Sequence, residues 1–230
     1  MSKAFVPQCK GEKNPRKNVL KLARKITDCV DHKLKGLTSD DPEYWGLACI
    51  LTDEMVDFAL KMKVRHHYTF EQLWKMNKQY KKEDLEKLLS EMSNIGILEY
   101  DYGDNFNHDG PIKGAERIRR YVLPMFVPGS AEFTNMVKSQ MDAHPELAMF
   151  FERMTLLPLE IVTPMVPAGG AGIGMHVIPV EKAISMENKT MDIEHISYWL
   201  KKYEGHLSVG MCSCRYGRSK LGEGCGDSCE

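Results

Sequence analysis

Between Thr38 and Val127 the apolar residues keep helical spacing three times and then turn to alternation. That change of period most restricts what the chain can fold into. Thr38-Ser39-Asp40-Asp41-Pro42 is a helix start, with capping side chains ahead of a proline in the first turn. From there Trp45, Leu47, Ala48, Ile50, Leu51, Met55, Phe58 and Ala59 predict one helix to about Met62, apolar nearly all round and so central to the core. Thr69 is placed to cap a short helix carrying Leu73 and Trp74. Leu85, Leu88, Leu89, Met92 and Ile95 form the stripe of a longer helix over 81–95, which Gly96 ends. Residues 97–100 read as a strand, and the Gly, Asn and Asp residues from Gly103 to Pro111 as a turn-rich link. Residues 119–127 read as a returning strand with Tyr121, Leu123, Met125 and Val127 on one face.

Helix, short helix, longer helix and two-stranded hairpin is the order of a winged helix. The sequence therefore predicts a mainly α fold with a small β-hairpin. Its segments are a basic N-terminal helix in 1–36, a winged-helix-like domain in 37–128, a helical and Gly/Pro-rich loop segment in 129–205, and a cysteine metal-binding segment in 206–230. Ser130, Pro145 and Asp192 are the expected helix starts of the third segment. The first segment holds ten Lys/Arg against three acidic residues, with Leu20, Leu22, Ala23, Ile26, Val30 and Leu34 at helical spacing. That pattern suits a solvated helix packing one apolar face on its neighbour.

Composition excludes several classes. With 230 residues, 43% hydrophobic and 27% charged, the chain is an ordinary globular sequence rather than a disordered or collagen-like one. No apolar run reaches membrane-spanning length. The formal net charge of −1 gives no overall attraction to nucleic acid or anionic lipid. The would-be recognition helix carries Glu83, Asp84, Glu86 and Glu91 beside Lys81, Lys82 and Lys87, which argues against DNA binding despite Arg117, Arg119 and Arg120 near the wing. The glycines at 169–174 do not follow the dinucleotide fingerprint, and Pro179 stands where a phosphate-binding helix would begin.

Cysteine placement carries the chemistry. The first nine residues lack an apolar stretch with a cleavage site, so the sequence predicts a cytoplasmic chain with reduced thiols. Cys29 and Cys49 fall in helical patterns and read as small packing residues, and Cys9 has no partner at ligand spacing. The last four cysteines, Cys212, Cys214, Cys225 and Cys229, form C-x-C-x10-C-x3-C. Four thiolates suit a tetrahedral zinc or a four-cysteine iron–sulfur cluster, and unligated redox thiols are the third reading. A C-x-C pair is crowded on one zinc ion, whereas in a cluster each thiolate binds its own iron, which favours the cluster. Gly222 and Gly224 let the backbone approach the sulfurs, and Arg215 and Arg218 bring positive charge to an anionic centre. A ligand at the penultimate residue implies either that the metal pins the tail or that the chain is the front part of a longer polypeptide.

The residues Val177-Ile-Pro-Val-Glu-Lys-Ala-Ile184, Cys212-Ser-Cys214-Arg215 and Gly222-Glu-Gly-Cys225-Gly226 carry a resemblance. The chain resembles the N-terminal part of large iron–sulfur flavoproteins of anaerobic bacteria. In these a winged-helix-like region and a CxCR segment precede ferredoxin-type 4Fe-4S clusters and a pyridine-nucleotide-disulfide-oxidoreductase-type flavin module. The resemblance implies Cys212, Cys214, Cys225 and Cys229 as ligands of a cluster of the [4Fe-4S] type. It also implies an electron-transfer role within a larger oxidoreductase and a partner carrying clusters or flavin. The chain itself has no ferredoxin CxxCxxC motif and no flavin fingerprint. The alternatives from the residues alone are a winged-helix DNA-binding regulator with a metal- or redox-sensing thiol site, and a zinc-stabilised structural module.

Overall fold

The computed structural model describes residues 8–27, 37–102, 106–107, 110–111, 118–125, 129–151, 195–205, 207 and 211–222. The first helix, α1 (Lys17–Thr27), buries Val19, Leu22, Ala23 and Ile26 and turns Lys17, Lys21 and Arg24 to solvent. It packs against α2 (Pro42–Ala48) and α3 (Asp53–Lys61), so its apolar stripe serves the core and its basic residues solvate the outer face. The expected single helix from Pro42 to Met62 is two helices. Thr52 caps α3 by accepting the Met55 N–H, and the Arg16 guanidinium donates to the Ala48 and Leu51 carbonyls that the break leaves free. Arg16 also pairs with Asp53 at the start of α3. The break leaves Cys49 at the C-terminal end of α2, outside the helix proper.

A three-residue strand, β1 (His67–Thr69), precedes α4 (Phe70–Met76). Thr69 and Gln72 form a reciprocal capping box at that junction. The longer helix α5 (Lys82–Asn94) buries Leu85, Leu88, Leu89 and Met92, as its stripe predicts. It ends at Gly96, whose φ of +82° belongs to the left-handed region that glycine enters without steric cost. The chain then passes into β2 (Glu99–Asp101), a short pair β3 (Phe106–Asn107) and β4 (Gly110–Pro111), and β5 (Arg120–Val122).

The sheet has three antiparallel strands in the order β1-β5-β2, one more than the hairpin expected from the sequence. His67-Tyr68-Thr69 is too short to display alternation, which is why it escaped the pattern. Tyr121 on β5 lies between Tyr68 and Tyr100 in register, and Asp101 pairs with both Arg120 at 2.8 Å and His67 at 2.9 Å.

Beyond the sheet come α6 (Ala131–Asn135), α7 (Lys138–Ala143) and helical residues at 147–151. The helix expected to start at Ser130 divides between α6 and α7. The Thr134 hydroxyl and the Asn135 amide donate back to the carbonyls of Ser130 and Ala131, and Gln140 Nε2 donates to the freed Thr134 carbonyl. Farther on are α8 (Ile196–Lys202), which starts after His195, and α9 (Ser213–Lys220). One hydrophobic cluster runs from Val19 to Phe151, and Tyr216 and Leu221 pack against it. The glycines at 169–174, Pro179, the residues 177–184 that carry part of the resemblance, and Asp192 lie outside the described residues. Among the described residues no helix is long and apolar enough to cross a membrane.

Candidate metal centres

Cys212 and Cys214 open a helix that the spacing of the motif did not reveal. Cys212 is the residue before α9, in extended conformation, and its carbonyl accepts the Tyr216 N–H at 3.0 Å. Cys214 lies in the first turn. Both are exposed, so the two thiols share the end of the helix at which backbone N–H groups lack intrahelical partners and the helix dipole is positive. Arg215 and Arg218 are exposed on the same helix, and Gly222, at φ +75°, ends it. Cys225, Cys229 and Gly224 lie outside the described residues.

What holds α9 in place is plain. Gly217 is buried, and a Cβ there would touch the Ala148 Cβ and Asn135 Oδ1 at 3.8 Å. Asn135 in turn donates to the Leu147 carbonyl at 3.2 Å. At the rim, Asp142 receives three side chains: Lys138 at 2.7 Å, Lys220 at 2.5 Å and the Tyr216 hydroxyl. Lys138 first, then Lys220 and Tyr216, hold the Asp142 carboxyl well below the usual carboxylate range.

A second group of donor atoms gathers inside the molecule. Cys49 at the end of α2, His144 at the end of α7 and Glu146 two residues later bring one sulfur, one ring nitrogen and one carboxylate oxygen within 4.8 Å of one another. Their meeting follows from helix packing. A Cβ on Gly46 would sit only 2.6 Å from the Phe150 ring, so α2 lies directly on the 147–151 turn. One turn along α2 from Gly46 is Cys49, and one turn back from Phe150 is Glu146. Glu146 is 3% exposed. Its Oε1 and the Nδ1 of His144 are both buried without a hydrogen-bond partner, 3.8 Å apart. Burial, and then the Glu146 charge, push the Cys49 thiol up. Cys9 stands near enough to feel both Glu146 and Cys49, and burial followed by Glu12 raises its thiol as well.

This group went unread in the sequence, where Cys49 is an apolar-spaced residue and Cys9 has no partner. The only local sign is His144-Pro145-Glu146, two donors around a proline that fixes the backbone between them. No protein-family model, curated protein or solved structure matches the chain.

Proposed function

We propose that the chain is an iron–sulfur electron-transfer module and part of a larger oxidoreductase. Its cluster, of the [4Fe-4S] type, is held by Cys212, Cys214, Cys225 and Cys229, and its partner carries ferredoxin-type clusters or flavin. The observation that carries this reading is the placement of Cys212 and Cys214, two exposed thiols at the start of one helix that is docked on the core a turn farther on, through Tyr216 and Gly217. Sulfurs so placed stay accessible to iron while their backbone is held, and the N-terminal N–H groups favour the negative charge of a thiolate-bound cluster. Arg215 and Arg218 supply further positive charge around it.

Residues 37–128 form the scaffold in this reading, as a winged-helix-like domain. The succession α3, β1, α4, α5, β2, β3, β4, β5 with sheet order β1-β5-β2 supports that assignment. Its role is contact with protein rather than DNA. On α5, Lys82 is engaged by Glu71 and Lys87 lies 3.9 Å from Glu91, while Glu83, Asp84 and Glu86 face solvent. A helix with that face brings carboxylates towards phosphates.

Purification without oxygen, with iron and acid-labile sulfide measured per chain, tests the reading. The expected protein is brown, with iron and sulfide in equal amounts that fall sharply in C212S and C214S. A colourless protein without sulfide sinks it, and stoichiometric zinc at the same four cysteines replaces it with a zinc-stabilised module.

A further inference from the structure

We propose that Cys49, His144 and Glu146 form a separate, buried site for one divalent metal ion of the zinc class. The Cys49 thiol donates to the Gly46 carbonyl at 3.2 Å, but each of the other two side chains holds an unpartnered buried atom. A carboxylate oxygen and an imidazole nitrogen are both out of solvent and both without a hydrogen-bond partner. Buried polar atoms are paired in the great majority of cases, and a carboxylate oxygen left unpaired in the interior carries a desolvation cost. A thiol lies within 4.8 Å of both.

Sulfur, imidazole nitrogen and carboxylate oxygen are together the donor set of zinc rather than of calcium or magnesium, which take oxygen. Bond lengths of about 2.0–2.3 Å in a tetrahedron place neighbouring donors about 3.3–3.8 Å apart. The His144 Nδ1 to Glu146 Oε1 separation of 3.8 Å is a few tenths of an ångström wider than a nitrogen and an oxygen on one tetrahedral ion, so a small closure of the two side chains completes the spacing. A dication bound by one thiolate and one carboxylate leaves the site neutral, which removes the cost of burying the carboxylate alone. The backbone is prepared for this: His144 N donates to the Gln140 carbonyl at 2.8 Å, the His144 carbonyl accepts Leu147 N at 3.0 Å, and Pro145 fixes the turn between the two ligands.

The test separates this site from the exposed cysteines. The full chain is prepared with Cys212, Cys214, Cys225 and Cys229 replaced by serine, so that failure of the iron–sulfur reading leaves the result untouched. After chelation under reducing conditions it is titrated with cobalt as a spectroscopic probe and then with zinc. The expected result is one equivalent of cobalt with a thiolate charge-transfer band and tetrahedral visible bands, displaced by zinc. C49S, H144Q and E146Q each weaken binding by about a hundredfold or more. E146Q also distinguishes a metal site from a plain His–Glu ion pair: its metal-free melting temperature is no lower than the parent's, and zinc no longer raises it. No cobalt uptake by the four-serine chain, or uptake unchanged in H144Q and E146Q, overturns the proposal. So does a metal-free E146Q that melts well below its parent.

Discussion

Gly96 is where the α5–β2 turn meets the backbone of α6, and replacing it tests that packing directly. A Cβ at this position would lie 2.4 Å from the Phe133 carbonyl carbon, 2.6 Å from its oxygen and 2.6 Å from Thr134 N. These are backbone atoms, so no rotamer change makes room. Two costs add in Gly96→Ala. The left-handed φ of +82° is unfavourable for alanine by about 1–2 kcal/mol. Forcing the α6 backbone away costs about 1–3 kcal/mol as overpacking. Together the loss is about 2–5 kcal/mol, a large part of the roughly 5–15 kcal/mol that holds a domain folded. In urea, with a slope of about 2–3 kcal/mol per molar for a chain this size, the midpoint should fall by about 1–2 M. Gly96→Asn separates the two causes, because asparagine tolerates the left-handed region while keeping a Cβ. If the contact with Phe133 dominates, Asn is at least as damaging as Ala. A midpoint for Ala within about 0.2 M of wild type, or full recovery with Asn, would refute the close approach of α6.

Thr69→Ala removes the half of the capping box at α4 in which Thr69 Oγ1 accepts Gln72 N at 3.3 Å and leaves the half in which the Thr69 backbone N–H donates to Gln72 Oε1 at 2.8 Å; urea unfolding should show a loss of about 1 kcal/mol. Asp142→Asn cuts the link from Lys138, Lys220 and Tyr216, and hydrogen exchange should quicken across 213–220 while α5 is unchanged. The acid behaviour of that link follows from its sign. A carboxyl whose folded pKa lies below its unfolded value stabilises fully above the unfolded value, about 3.9, and loses that contribution only as pH falls through the lowered one. The protection of 213–220 attributable to Asp142, with each rate divided by the intrinsic rate at that pH, should therefore stay constant from pH 8 to about 5 and fall only in strong acid.

Elements with a long stripe or a strong punctuation mark were legible. The stripe from Leu85 to Met92, the stop at Gly96 and the cap at Thr69 each act within one turn of chain, so local spacing reports them. The breaks in the helices did not show, because their causes are tertiary. Arg16 reaches from ahead of α1 to hold the Ala48 and Leu51 carbonyls, and Gln140 reaches back to Thr134. Strand β1 exists through its pairing with β5, and three residues cannot advertise a partner that comes so much later. The cysteine motif named Cys212 and Cys214 but not the helix they begin, since Ser-Cys-Arg-Tyr-Gly-Arg-Ser-Lys has no apolar stripe and packs through Gly217 and Tyr216. The Cys49, His144 and Glu146 group is least legible of all. Its members come together only because Gly46 admits the Phe150 ring.

Residues 142–148 form a wall shared by the two candidate centres. From one side α9 rests on it through Tyr216 and Lys220 at Asp142 and through Gly217 at Ala148. From the other side α2 presents Cys49 to His144 and Glu146, one turn from the Gly46–Phe150 contact. The wall has one helical turn on each side of Pro145, so its backbone cannot shift on one face without shifting on the other. On the metal-site proposal, an ion drawing Glu146 and His144 towards Cys49 would hold the same short segment that carries Asp142 and Ala148. Order imposed there would then reach the seat of Cys212 and Cys214 with no direct contact between the two sets of thiols.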